Sequence, residues 1–189
     1  MKVYQHVGVE GFTNYYIIVN EKTREAVIID LEKVTPEFID QIEQNRLKVC
    51  AVLITHNHKK HVSGLKTLRK IYSFRTYAAE YEVENETSVV LKGDGIMRLA
   101  GMEIGYFSLQ GHSTDSLCFK IGGIIFTGDA IFAGTIGSTT SFYARQMLIR
   151  NLHEKVLSQQ DDLVILPGHG PPTTVGAEKK FNIDLNSRI

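Results

Sequence analysis

Short apolar runs separated by polar or glycine-containing turns recur along the chain and predict a β-rich fold. Most of these runs have the length and the β-branched and aromatic content of strands. The predicted strands are Tyr15–Val19, Ala26–Ile29, Val49–Ile54, Arg75–Ala78, Ile96–Leu99, Met102–Leu109, Leu117–Ile121, Ile124–Thr127 and Leu163–Leu166. The stretch from Glu80 to Lys92 shows no clear pattern.

Apolar residues at helical spacing follow several of these runs. Thr35-Pro36 is a favourable helix start, because threonine can cap a helix and proline suits its first position. The predicted helices cover residues 36–46, a segment marked by Leu65, Leu68 and Tyr72, residues 142–157 and residues 177–185. Two β-rich halves with helices favour an α/β fold in which helices cover two packed sheets. Because no proline-rich linker or charge block interrupts the chain, we expect a single domain over residues 1–189.

Composition indicates a chain that can bury a core and makes some partners unlikely. Hydrophobic residues make up 43% of the 189 residues, and 21 Lys and Arg balance 21 Asp and Glu. A balanced charge offers no general attraction for nucleic acid, and no apolar run has the length of a signal peptide or a membrane span. We therefore expect a cytoplasmic protein that binds neither nucleic acid nor membranes. Cys50 and Cys118 lie in apolar runs and are predicted to be buried thiols.

Polar residues with metal-binding chemistry stand at the ends of four apolar runs. The segment His56-Asn-His58-Lys-Lys-His61 follows one strand, and His112, Asp129 and His169 follow three others. Strand ends at one edge of a sheet can converge on a single cleft although they are far apart in sequence. Imidazole nitrogens and a carboxylate are suitable ligands for zinc or iron. Five of the seven histidines are therefore predicted to meet Asp129 at one metal site.

Four motifs carry a resemblance to a known family. They are Thr55-His-Asn-His-Lys-Lys-His61, Gly111-His112-Ser113, Phe126-Thr-Gly-Asp-Ala-Ile-Phe132-Ala-Gly134 and Leu166-Pro-Gly-His-Gly-Pro171. They resemble the successive motifs of the metallo-β-lactamase superfamily, specifically its short glyoxalase II-like (hydroxyacylglutathione hydrolase-like) branch. The resemblance implies the four-layer αββα sandwich of that superfamily, with the metal site at the sheet edges. The longer hydroxyacylglutathione hydrolases add a C-terminal helical domain that contributes to glutathione binding, and this chain resembles the single-domain members without it.

The resemblance also implies a role for each candidate ligand. By position, a first metal would be held by His56, His58 and His112, a second by His61 and His169, and Asp129 would bridge the two. The family pattern His-x-His-x-Asp-His has an aspartate where this chain has Lys60. A protonated lysine about 4 Å from a divalent ion would cost about 8 kcal/mol at an effective dielectric constant near 20. We therefore expect one tightly held metal at the first site and a weak or empty second site.

Lys60 has three ways to coexist with the metal ligands. Its long stem can swing the ammonium into water or onto a carboxylate, or a buried amine can lose its proton. Alternatively, the ammonium itself can occupy the second site and pair with Asp129. Its neighbour Lys59 could form a two-residue basic patch with Lys60 for an anionic substrate, but a solvated loop is the favoured interpretation of Lys59.

The implied activity is hydrolysis of a thioester or an ester. The metal would polarise the carbonyl and lower the pKa of a bound water, which gives a metal-bound hydroxide as nucleophile at neutral pH. Asp129 is the residue predicted to take part in catalysis. Zinc is the expected metal, as one or two ions, with iron or manganese as alternatives. The expected partner is a small molecule of which a glutathione thioester is one example, and the oligomeric state is left open.

Two further interpretations stay open. His56, His112 and Asp129 could form the single-iron 2-His-1-carboxylate site of a persulfide dioxygenase. The chain could also be a catalytically degenerate metal-binding or scaffold relative, because Lys60, Gln110, Thr114-Asp115 and Ser138-Thr139-Thr140 depart from the family pattern. Asp30, at a strand end, either orients a metal-binding histidine through a hydrogen bond or simply starts a turn.

Overall fold

Two six-stranded sheets form the centre of the fold. The computed structural model describes residues 1–80, 83 and 88–186. The first sheet contains, in spatial order, β1 Lys2–Val7, β2 Asn14–Asn20, β3 Glu25–Ile29, β4 Lys48–Leu53, β5 Arg75–Ala78 and β6 Val89–Val90. The later strands are β7 Gly95–Leu99, β8 Met102–Ser108, β9 Leu117–Ile121, β10 Ile124–Gly128, β11 Ile131–Phe132, β12 Thr135–Ile136, β13 Val164–Pro167 and β14 Thr173–Thr174. Of these, β11 and β12 form a separate hairpin, and the others form the second sheet in the order β14-β13-β10-β9-β8-β7.

Helices lie on the outer faces of the sheets. Their bounds are α1 Pro36–Gln44, α2 Lys59–Val62, α3 Leu65–Leu68, α4 Phe142–Lys155, α5 Val175–Phe181 and α6 Ile183–Asn186. The predicted start of α1 is confirmed, since Oγ1 of Thr35 accepts a hydrogen bond from the backbone N–H of Phe38 at 3.2 Å. The predicted helix 177–185 is two helices, because Asn182 between them has an extended backbone and its amide donates to the Thr135 carbonyl.

Three apolar layers hold the sandwich together. Tyr16, Phe119 and Phe126 belong to the layer that joins the two sheets. A second layer, which includes Phe38 of α1, packs on the outside of the first sheet, and a third, which includes Leu148 of α4, packs on the outside of the second sheet. The order helix, sheet, sheet, helix confirms the predicted αββα architecture.

Strand register brings the predicted site residues to one edge. The pairs β3 with β4 and β4 with β5 are parallel, and Ile29 lies opposite Leu53 in the first of these. In the second sheet β10 and β13 are parallel, with Gly128 opposite Pro167. The carboxyl ends of parallel strands meet at the same edge, so within each sheet the segments that follow these strands lie side by side.

Some features differ from the sequence prediction. Strand β1 was not expected, because its residues are exposed or half-buried at a sheet edge and so lack a strong apolar pattern. Cys118 is buried as predicted, but the prediction for Cys50 is wrong, since its side chain is half-buried. Within the unpatterned stretch from Glu80 to Lys92, residues 81–82 and 84–87 lie outside the described residues. No helix in the described ranges is long and apolar enough to cross a membrane.

Candidate metal centre

The four predicted strand-end elements lie together at the common edge. His56 follows β4, Asp129 follows β10 and His169 follows β13. The ring centroids of His56 and His112 are 5.0 Å apart, although 56 positions separate them in the sequence (112 minus 56). These side chains therefore lie close together, as the sequence predicts. Their roles as metal ligands stay predictions.

Three imidazoles present nitrogen atoms to one point, and we call these nitrogens the first donor set. Nε2 of His56 lies 2.9 Å from Nδ1 of His58, and Nε2 of His112 lies 3.1 Å from the same Nδ1. All three donor atoms lie within 4.8 Å of one another. His56 is buried, whereas His58 is exposed and His112 is half-buried, so the set is open to solvent on one side.

Neighbouring groups fix the tautomers of two of these rings. Oγ1 of Thr55 donates its proton to Oδ2 of Asp30 at 2.7 Å, so it accepts from Nδ1–H of His56 at 3.0 Å. Nδ1–H of His112 donates to the Ser138 carbonyl at 2.8 Å. Both rings are then left with a lone pair on Nε2.

The two lone pairs cannot both be satisfied inside the first donor set. Both point at Nδ1 of His58, which offers at most one proton in the plane of its ring. A cation shared by the three nitrogens removes this conflict, because a metal ion accepts all three lone pairs. The donor chemistry of the first set thus fits a metal ion with three imidazole ligands.

A second donor set consists of His56, His61 and Asp129, whose ligand atoms also lie within 4.8 Å of one another. His61 is buried, and its Nδ1 donates to Oδ2 of Asp30 at 2.8 Å. Its Nε2 has no hydrogen-bond partner among the described residues and lies 3.5 Å from Oδ1 of Asp129. A buried imidazole nitrogen without a partner, aimed at a carboxylate, also fits a cation.

The pKa values of these groups follow from burial and from their neighbours. Burial, together with the charge of a protonated His61, lowers the pKa of His56 to about 2, so His56 stays neutral at physiological pH. Burial would also lower the pKa of His61, but the carboxylates of Asp30 and Asp129 outweigh it and raise the pKa to about 10. Burial would raise the pKa of Asp129, but its contacts with His169 and His61 hold the pKa well below the usual range. Asp129 is therefore an ionised carboxylate.

Asp30 takes the position of a supporting residue rather than that of a simple turn former. Its carboxylate is buried and accepts from His61 Nδ1, from the hydroxyl of Thr55 and, at 2.8 Å, from the backbone N–H of Thr55. Its backbone has a φ of 54°, a region that aspartate tolerates better than most residues. One carboxylate therefore orients His61 directly and His56 through Thr55.

His169 lies beside the second donor set and turns its Nδ1 toward Asp129. Nδ1 lies 2.7 Å from Oδ1 of Asp129, and Nε2 lies 3.3 Å from the hydroxyl of Thr13. His169 belongs to neither donor set in the described part of the chain. Its predicted role as a ligand stays a prediction.

Lys60 lies over Gly11 and forms no ion pair with Asp129. Its side chain is exposed, and its stem crosses Gly11 so closely that a side chain at position 11 would collide with Cδ of Lys60. The ion pairs of Asp129 are with His56, His61 and His169. Of the three arrangements considered for Lys60, the geometry matches the one in which the ammonium swings outward, and it does not match occupation of the second site.

A glycine allows the backbone to approach the second donor set. A side chain at Gly168 would collide with Oδ1 of Asp129 and would stand 2.8 Å from Cε1 of His61. The absence of a side chain at Gly168 keeps this space clear.

Two supporting contacts were missed by sequence reasoning. The backbone N–H of Asn57, between His56 and His58, donates to Oδ2 of Asp115 at 2.6 Å. The carbonyl that orients His112 belongs to Ser138. Asp115 was noted only as a departure from the family pattern, and a backbone carbonyl leaves no signal in the sequence.

The iron site considered for a dioxygenase is not one of the observed sets. His56 joins His58 and His112 in one set and His61 and Asp129 in the other, and no set in the described ranges holds both His112 and Asp129. The dioxygenase interpretation stays a prediction.

Comparison with known proteins shows the family and the extent of the shared fold. A family model of the metallo-beta-lactamase superfamily matches residues 8–98. The probable metallo-hydrolase YqgX of Bacillus subtilis is 30% identical over 168 residues, which span 77% of this chain and 80% of that protein. The hydroxyacylglutathione hydrolase of Klebsiella pneumoniae is 34% identical over 144 residues, 75% of this chain and 57% of that protein. The crystal structure of the B3 metallo-beta-lactamase BLEG-1 superposes with a TM-score of 0.88 at 23% identity, over 98% of this chain and 100% of that one. The shared fold thus extends over nearly the whole chain.

Proposed function

This chain belongs to the metallo-β-lactamase superfamily, and from that premise we propose that it is a metal-dependent hydrolase of a small thioester or ester. The observation that carries the proposal is the first donor set, in which the Nε2 lone pairs of His56 and His112 converge on His58. Two similar proteins bear the names of hydrolases, and one of them is a hydroxyacylglutathione hydrolase. A glutathione thioester is therefore the first substrate to test.

The first donor set would hold the metal, and zinc suits its three imidazoles. When bound, the metal supplies an electrophilic centre that polarises a carbonyl and lowers the pKa of water. His58 is the exposed member of the set, so substrate approaches from its side. Iron and manganese are the alternatives.

The protein's own groups then orient the reactants. Asp129 is an ionised, half-buried carboxylate, so it can accept a hydrogen bond from the attacking water and orient it. Asp30 and the Ser138 carbonyl hold the rings of His61 and His112 in fixed tautomers. Hydrolysis breaks the bond between the carbonyl carbon and sulfur or oxygen, forms a carbon–oxygen bond to water, and returns a proton to the leaving group.

We propose that one metal is bound tightly, at the first donor set. The second donor set has His61 and Asp129, but the position next to His61 carries Lys60, which offers an ammonium in place of a carboxylate. Lysine is not an anionic ligand, and its side chain is exposed over Gly11. The second set therefore gains no additional ligand from position 60. A second ion would therefore bind more weakly than the first.

The proposal is tested with untagged protein that has been stripped of metal and reloaded with zinc. Zinc-loaded protein is expected to hydrolyse S-lactoylglutathione or S-hexanoylglutathione, and stripped protein is not. His58→Ala should lower kcat/KM at least about a hundredfold, since metal stabilisation of developing charge is worth several kcal/mol. His153→Ala is the matched control, because His153 is an exposed histidine on α4. Equal hydrolysis by stripped and loaded protein, or none by either, would contradict the proposal.

A further inference from the structure

A groove of about 480 Å³ opens directly beside the first donor set. His58 and His112 line it together with the segment 110–114. Thr140 and the α4 residues Tyr143, Ala144 and Met147 complete the lining. Its volume is in the range of small-molecule sites, so it can take a group the size of a medium acyl chain. We call it the acyl groove.

Among the described residues that line the acyl groove there is no Asp, Glu, Lys or Arg to pair with a charged ligand. Apart from the two histidines, the lining consists of glycine, alanine, methionine and uncharged polar residues. Nearby charges are directed elsewhere. Arg145 pairs with Asp184 at 2.9 Å, and Arg150 lines not the groove but a smaller cleft that adjoins it at Tyr143 and Met147. A carboxylate or ammonium placed in the groove would lose water without gaining a partner.

Positive charge is found outside the groove, since neither Lys59 nor Lys60 lines it. Lys59 and Lys60 are exposed directly after His58, and the stem of Lys60 lies over Gly11. Hydrolysis of a thioester releases a thiolate, which is anionic, and positive charge favours the half of the substrate that carries it. The two sides of the site thus differ in the chemistry that they favour.

From this asymmetry we infer that the acyl groove selects thioesters with an uncharged, apolar acyl group of about the size of hexanoyl. The acyl chain packs against Met147 and Tyr143, and the thiol half lies on the side of Lys60. This inference rests on the proposed hydrolase function and adds the substrate class. Each buried methylene contributes about 0.8 kcal/mol, so kcat/KM should rise about fourfold per methylene that enters the groove.

The test compares acyl groups on one thiol, with zinc-loaded protein. S-hexanoylglutathione is expected to show a kcat/KM at least about tenfold above that of S-succinylglutathione, whose acyl group carries a carboxylate. Met147→Glu places a carboxylate in the groove, so the ratio of kcat/KM for S-(6-aminohexanoyl)glutathione to that for S-hexanoylglutathione should rise about tenfold. This ratio does not depend on how much of the variant is folded or loaded with metal. Gln146→Glu adds the same charge to the same helix outside the groove and should leave the ratio unchanged.

The outcomes separate the inference from the proposed function. Hydrolysis of all thioesters at similar kcat/KM would contradict the inferred acyl selectivity and leave the hydrolase function standing. An unchanged ratio of kcat/KM for the aminohexanoyl and hexanoyl thioesters in Met147→Glu would do the same. Hydrolysis of no thioester by zinc-loaded protein would overturn both.

Discussion

The carboxylate of Asp30 lies 2.8 Å from Nδ1 of His61, and both residues are buried. The same carboxylate holds the hydroxyl and the backbone N–H of Thr55, which precedes His56. A residue outside both donor sets thus fixes the orientation of one imidazole in each. Such supporting carboxylates commonly contribute 10- to 100-fold to metal affinity.

Replacing Asp30 should therefore weaken metal binding without removing a ligand. We expect Asp30→Asn to raise the dissociation constant for zinc about tenfold or more, because an amide supports the ligand rings less well than a carboxylate. Competition with a chromophoric chelator measures this constant. Asp40→Asn, at an exposed position on α1, is the control and should match wild type. Wild-type affinity in Asp30→Asn would show that Asp30 only shapes the turn.

The two donor sets should differ in the protons that they release. Burial lowers the pKa of both His56 and His58, so these two ligands of the first set need to release almost no proton when a metal binds at pH 7. In the metal-free protein the pKa of His61 is raised to about 10, so a metal at the second set must displace its proton. The affinity for a second ion should therefore rise with pH, about tenfold per unit up to about pH 10.

Calorimetric zinc titration in buffers of different ionisation enthalpy counts these protons. We expect close to none for the first equivalent and close to one for the second. One proton released with the first equivalent would place the tight site at His61 instead.

Restoring a carboxylate next to His61 should strengthen the second set. We expect Lys60→Asp to raise the zinc content of the purified protein above that of wild type and to increase thioester hydrolysis, because aspartate can supply an anionic ligand at a position where the exposed lysine supplies none. Zinc per chain and kcat/KM are measured in parallel. Lys59→Asp makes the same charge change at the preceding exposed position and is expected to change neither. Identical values for the two variants would mean that Lys60 does not limit the second set.

Asp115 should support the first set through the loop that carries it. Its carboxylate accepts the N–H of Asn57 at 2.6 Å, between His56 and His58. We expect Asp115→Ala to weaken zinc binding about tenfold, whereas Asp115→Asn, which keeps an acceptor oxygen, should lose less. Asp162→Ala, at an exposed position, is the control for the same chelator competition. If Asp115→Ala binds zinc as wild type does, the loop needs no such support.

Local sequence patterns predicted the elements that place the site. The apolar runs that form β4, β10 and β13 are mostly buried. A continuous apolar run is typical of a buried strand, so these strands could be predicted. The ligand candidates could be predicted because each directly follows such a run. Strand β1 was missed, since an edge strand with exposed residues shows little apolar alternation.

Contacts between distant loops could not be read in the same way. The bond from Asn57 to Asp115 joins residues 58 positions apart, and its formation depends on how two loops approach each other. The tautomer of His112 depends on a carbonyl at Ser138, which any residue could supply. The sequence left three arrangements for Lys60, because the contact of its stem with Gly11 joins residues 49 positions apart (60 minus 11) and depends on the fold.

The most direct test of a hydrolase that works from the first donor set is the rate of S-hexanoylglutathione hydrolysis as zinc is added to the metal-free protein. The rate should rise linearly and reach its plateau near one equivalent of zinc per chain. A plateau only at two equivalents would contradict the single tight site, and no hydrolysis at any zinc concentration would contradict the hydrolase itself.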